Sequence, residues 1–146
     1  MAEEVVVRQG RDYVTTFTQR ETESGAPGPR AVQHLHELTP YGMILAGLGS
    51  CTALVVNSYA AHHGVPVDAV VLTVEYRRSF REDCERCEEL EKLGEQIRMV
   101  VALEGALSPE QQEKLFKIAM QCPVHKMLTS GIKVVIEREG VSPARG

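Results

Sequence analysis

Four cysteines are the residues of this chain best suited to covalent chemistry, and they fall into three settings. Cys51 lies inside a long apolar stretch among small residues, where a thiol needs a neighbouring cation or base to become nucleophilic. Cys122 directly precedes Pro123, a residue suited to open a helix. A thiol at a helix N-terminus gains thiolate character from the unpaired N–H groups and the helix dipole. Each of the two also reads as a small buried hydrophobe, and spacing alone does not pair them. Cys84 and Cys87 form a C-x-x-C within RSFREDCERCEELEKL, a spacing that can chelate a metal or close a redox disulfide. The acidic neighbours Glu82, Asp83, Glu85, Glu88 and Glu89 disfavour a thiolate there. One C-x-x-C is half of a tetrahedral site, and His34, His36, His62, His63, His125 or a second subunit would have to complete it. An incidental pair, a weak metal candidate and a relay passing electrons to Cys122 all remain open for it. His125, three residues after Cys122, reads either as a surface histidine or as a base meeting that thiol on one side of a helical turn.

The elements that must position these residues follow from local pattern. Val5, Val6, Val7 and then Tyr13, Val14, Thr15, Thr16, Phe17, interrupted around Gly10, read as two strands of a hairpin. ETESGAPGPR, residues 21–30, reads as a loop, with a short strand expected around Ala31–Glu37. Thr39 as N-cap, Pro40 at the first position and Gly64 as stop predict a long helix over roughly 40–63. It is apolar nearly all round, and Gly47, Gly49 and Ser50 admit close approach of another backbone, so it belongs at the centre of the molecule or at an oligomer interface. Asn57, Ser58 and the two histidines argue against a membrane span, and His62-His63 suits a helix C-terminus better than a ligand pair. Strands are expected at Val67–Arg77, Ile97–Leu103 and Ile132–Glu137, with helices at 109–120 behind a Ser108/Gln111 capping box and at 123–129. Ser79–Leu93 reads as a loop or an exposed helical turn. The order is that of a single α+β domain over 1–146 with a polar tail from about 140.

Composition narrows the function. A chain of 146 residues with a net charge of −4 offers no global field for nucleic acid or anionic lipid. The acidic start MAEEVVVRQGRDY lacks the basic and apolar regions of a secretory signal, so a cytoplasmic location is expected, where structural disulfides are rare. No Gly-rich phosphate loop, H-E-x-x-H, serine elbow or aromatic-laced basic stripe is present. No cofactor is expected.

TPYGMILAGLGSCTALVVNSYAA followed by HHGVPVDAVVLTVEYRR, and the later KLFKIAMQCPVHKML, resemble the two cysteine blocks of the OsmC/Ohr family over roughly residues 35–137. The resemblance implies an intertwined α+β homodimer, with antiparallel sheets around a long central helix and active sites at the subunit interface. It implies a thiol-dependent peroxidase that reduces organic hydroperoxides to alcohols. Cys51 matches the peroxidatic cysteine and Cys122 the resolving one, joined in an intrasubunit disulfide that an external dithiol reduces. Tyr41, Met43, Ile44 and Leu48, with Leu54 and Val55, would form an apolar substrate wall and are equally well explained as core. Many relatives carry a Glu just after the proline that opens the long helix, where it orients an Arg against the thiolate. Here Tyr41 and Gly42 stand in that place. Arg20 and Arg30 are the candidates for the activating cation, Arg30 being nearer the helix in sequence. The alternative is a non-catalytic dimeric binding module, metal-carrying through Cys84 and Cys87.

Overall fold

The computed structural model describes residues 2–21, 28–78 and 94–140. The expected loop or turn at Ser79–Leu93, with Cys84 and Cys87, lies outside the described residues. In chain order the elements are β1 (Ala2–Gly10), β2 (Thr15–Glu21), β3 (Arg30–Val32), a 3-10 turn (Leu35–Glu37), α1 (Pro40–His63), β4 (Ala69–Arg78), β5 (Glu95–Glu104), α2 (Pro109–Ala119) and α3 (Pro123–Ser130). The strands form one antiparallel sheet in the order β3-β2-β1-β4-β5. This is an α+β fold.

The sheet register explains the core. Val5 lies opposite Val74 and Val7 opposite Leu72, so strand alternation turns these residues and Val70 to one face, where all are fully buried. Helix α1 covers that face, packing on β1 and β4 with Leu45, Gly49, Ala53, Val56 and Ala60 inward. Gly49 sets the closeness of this packing, because a Cβ there would stand 2.6 Å from Val7 Cγ2 and 3.3 Å from Val74 Cγ2. The helix is delimited as its sequence signals require: Thr39 accepts a hydrogen bond from Gly42 N at 3.1 Å, and Gly64 closes the end at φ 66°. It is long and apolar enough to cross a bilayer, but half of its most apolar stretch is buried inside the chain.

Glu3 ties the sheet to the start of α1. Its buried carboxylate accepts from Gln19 Nε2 at 2.8 Å and from the Thr39 hydroxyl, and it fills the space beside Gly42. The first turn of α1 has no acid of its own, so this strand residue supplies the negative charge that the helix N-terminus favours. Glu3→Ala is therefore expected to lower the unfolding free energy by about 1–3 kcal/mol, read as a drop in the urea midpoint, because the buried Gln19 amide and the Thr39 hydroxyl lose their acceptor.

Two strand expectations need correction. The strand expected at Ala31–Glu37 is only Arg30–Val32, followed by the 3-10 turn. Ile132–Glu137 forms no strand: residues 132–140 belong to no ladder, and Ile132, Val134, Val135 and Ile136 stand in solvent, Ile136 being 92% exposed. Alternating β-branched residues favour an extended chain, but a strand exists only when another edge takes up its N–H and C=O groups. This segment finds no such edge among the described residues.

Candidate active site

Cys51 and Cys122, far apart in sequence, meet where α3 packs on α1. Both are free thiols, and their side chains lie close enough to influence each other's ionisation. Cys51 is partly exposed on α1, whereas Cys122, the N-cap residue of α3, is fully buried. Around the Cys122 sulfur stand the main-chain N–H groups of Val124 and His125 and the hydroxyl of Thr52. Thr52, also fully buried, is held by a 2.9 Å hydrogen bond to Leu48 O, one turn back on α1.

The two thiols differ in acidity. Burial pushes Cys51 above its ordinary value, and the neighbouring Cys122 thiol adds to the rise, only partly offset by Val124 N–H. Burial also opposes ionisation of Cys122, but the neighbouring Cys51 thiol, the His125 and Val124 N–H groups and the nearby Thr52 hydroxyl outweigh it and hold that thiol below its ordinary value. Among the described residues no guanidinium or ammonium contributes to the ionisation of Cys51.

The arginine candidates lie elsewhere in the chain. Arg30 donates to Gln19 Oε1 at 2.6 Å and to Glu37 O at 2.9 Å, beside the start of α1. Cys51 is eleven residues further along that helix, about 16 Å by helical rise. Arg20 pairs with Glu4 at 2.9 Å, and strand alternation puts Glu4 on the sheet face turned away from α1. His125 acts on Cys122 through its main-chain N–H, while its ring Nδ1 faces Met120 O at 3.2 Å. His62 and His63 end α1, with His63 stacked on Tyr59 at 3.9 Å, and His34 stacks on His36 at 5.5 Å. Among the described residues no three His, Cys, Asp or Glu side chains converge as a metal site.

A cavity of about 600 Å³ lies between β5, α2 and α3, walled by Leu48, Ile97, Met99, Val101, Phe116 and Leu128. Of the expected substrate wall, only Leu48 reaches it. Tyr41 instead stacks on Tyr76 at 4.7 Å, Met43 packs against the core, and Ile44 is 46% exposed. Thr52, Tyr76 and Phe116 were not singled out from the sequence. Phe116 lies within the helix expected over 109–120, while Thr52 had no signal beyond its place next to Cys51.

Tyr76 borders the cavity and donates to Glu95 Oε1 at 2.9 Å. Burial, with the Glu95 hydrogen bond, pushes its phenol up to about 12. The ordinary value is about 10, so the phenol is neutral in folded and unfolded chains below that pH and its contribution is fully present there. Stability is then lost as pH rises from about 10 through about 12. Urea unfolding at stepped pH is expected to show this alkaline decline, and Tyr76→Phe is expected to lessen it.

An antiparallel sheet backed by one long helix, with a helix-borne thiol held against a second thiol at the start of a short helix, defines a class of α+β proteins built around a cysteine pair. The chain matches the family described as OsmC-like protein over residues 33–137, and it belongs to that family. Its fold is that of the OsmC-like hydroperoxide resistance protein from Jannaschia sp. CCS1, to which it is similar at a TM-score of 0.59 with 13% identity over 96% of each chain. The OsmC-like protein from Mycoplasma pneumoniae gives a TM-score of 0.49 with 15% identity over 85% of each chain. No curated protein matches the chain.

Proposed function

We infer that the chain is a thiol-dependent peroxidase that reduces organic hydroperoxides to alcohols through Cys51 and Cys122. The observation that carries this reading is the juxtaposition of one partly exposed and one buried free thiol. The thiolate of Cys51 attacks the terminal oxygen of the hydroperoxide, the O–O bond breaks, and the departing alkoxide takes a proton to leave as alcohol. The resulting sulfenic acid is attacked by the Cys122 sulfur, water departs, and the disulfide forms within the chain. An external dithiol restores both thiols. The name of the Jannaschia relative, a hydroperoxide resistance protein, supports the substrate class, as do the apolar side chains of Ile44, Leu54 and Val55 on the helix that bears Cys51.

The working form in this reading is a cytoplasmic homodimer. Ile44, Gly47, Cys51, Leu54, Ser58 and Ala61 recur at alternating spacings of three and four along α1, and all but the partly exposed Cys51 are exposed. A seam of that period suits a second helix, and the unpaired apolar segment after Gly131 suits a second sheet edge. Light scattering is expected to give twice the 16.1 kDa chain mass, and Leu54→Glu, which places a charge in the seam, is expected to give the single-chain mass.

A second reading, a non-catalytic binding module, is favoured by one observation: Cys51 has no activating cation among the described residues. Dithiothreitol-dependent consumption of cumene hydroperoxide, compared with hydrogen peroxide, decides between the two. Rapid turnover of the organic substrate supports the peroxidase, and negligible turnover of both supports the module.

A further inference from the structure

β5 is the last strand of the sheet, and among the described residues its outer edge has no neighbour. Its side chains alternate: Ile97, Met99, Val101 and Leu103, opposite Tyr76, Val74, Leu72 and Val70, face the helices, whereas Arg98, Val100, Ala102 and Glu104 face away. The apolar cavity adjoins this strand, with Ile97, Met99 and Val101 in its wall, and its wall residue Phe116 is still 51% exposed. A ten-residue strand edge beside an apolar cavity suits the addition of one more strand. Residues 132–137 have the matching form, since Ile132, Val134 and Ile136 fall on one face of an extended chain and Lys133, Val135 and Glu137 on the other. Four registers set Ile132, Val134 and Ile136 wholly against the helix-facing apolar residues of β5. The two parallel ones oppose Lys133 to Arg98 or Glu137 to Glu104, like charges that destabilise a ladder. Of the two antiparallel ones, the one that sets Ile132 at Leu103, Val134 at Val101 and Ile136 at Met99 also places Glu137 opposite Arg98, Val135 opposite Val100 and Lys133 diagonal to Glu104. The other sets no opposite charges face to face. The segment makes no ladder with its own β5, and the exposed seam of α1 already calls for a second copy of this chain.

We propose that residues 132–137 of a second copy add to β5 as an antiparallel strand with Val135 opposite Val100, and that Val134 and Ile136 of that copy complete the wall of the cavity. Each cavity is then built from two chains, and neither chain closes it alone. This pairing rests on the homodimer inferred above and not on the peroxide chemistry. It takes up the N–H and C=O groups that the β5 edge and residues 132–137 leave unpaired, and it moves Ile136, 92% exposed in the single chain, against Met99.

The test uses the full-length chain carrying Val100→Cys and Val135→Cys, two exposed positions where substitution leaves the core untouched. A short bis-methanethiosulfonate reagent spans directly opposed residues of an antiparallel pair. Peptide mapping without reduction is expected to find residues 100 and 135 joined, in a species of twice the 16.1 kDa chain mass on a denaturing gel. The same link within a single chain overturns the exchange. A dimer by light scattering in which no 100–135 link forms overturns it too, as does a wild-type chain of single-chain mass. Ile136→Asp is expected to raise the dimer dissociation constant about tenfold or more, because a charge replaces an apolar side chain buried against Met99. An unchanged constant overturns the pairing. None of these readouts involves peroxide, so inert behaviour toward cumene hydroperoxide, with these results intact, overturns the peroxidase reading alone.

Discussion

Cys51→Ser is expected to lower organic-hydroperoxide consumption by roughly a thousandfold or more, to the background set by dithiothreitol alone, because a serine hydroxyl cannot replace the sulfur nucleophile. Cys122→Ser is expected to behave differently. It keeps the attacking thiol and loses the resolving one, so one equivalent of peroxide is consumed and a sulfenic acid accumulates at Cys51, detectable by dimedone labelling. Folding is not expected to suffer in the first variant, since Cys51 is only partly buried and serine is nearly isosteric. In the second the hydroxyl falls in a fully buried place, where Thr52 and the α3 amides are positioned to pair with it. Full turnover in Cys51→Ser would remove the basis of the mechanism.

The largest expected loss of stability comes from Gly49→Val. A Cβ at this position already stands 2.6 Å from Val7 Cγ2, and two further methyl groups must enter a face where Val7 and Val74 are fully buried. Overpacking of this kind costs about 1–3 kcal/mol and sometimes more, and here the relief is displacement of α1 from the sheet. Cys51 lies two residues beyond Gly49, so the same displacement pulls it away from Cys122. Urea denaturation is expected to show the lower midpoint. The yield of the 51–122 disulfide after diamide treatment is expected to fall with it.

What could be read from the sequence was what its local chemistry determines. The bounds of α1 were legible because Thr39, Pro40 and Gly64 act on their own few residues of backbone, and α2 because Ser108 and Gln111 close a reciprocal box. β4 and β5 were legible from runs of branched side chains, although β5 extends beyond both expected ends and β4 starts two residues later and ends one later than expected. Ile132–Glu137 has the same composition and failed as a strand, because pairing is a property of two segments and among the described residues it meets no partner edge. Arg30 was chosen for its nearness to the helix in sequence, but that nearness brings it to the first turn of α1, about three turns from Cys51. The donors around Cys122 were only half visible: Pro123 announced a helix start, but the contact with Thr52 depends on how α3 docks against α1. The acid absent from the helix opening has its spatial counterpart in Glu3, which fills the space beside Gly42 from a strand far away in sequence.

The central claim is that an organic hydroperoxide converts the Cys51–Cys122 pair into a disulfide. It is tested most directly by treating the reduced chain with one equivalent of cumene hydroperoxide, blocking the remaining thiols and mapping the peptides without reduction. The account predicts a peptide pair joined through Cys51 and Cys122, formed before any bond between Cys84 and Cys87. Both thiols recovered unmodified, or a bond confined to Cys84 and Cys87, would contradict it.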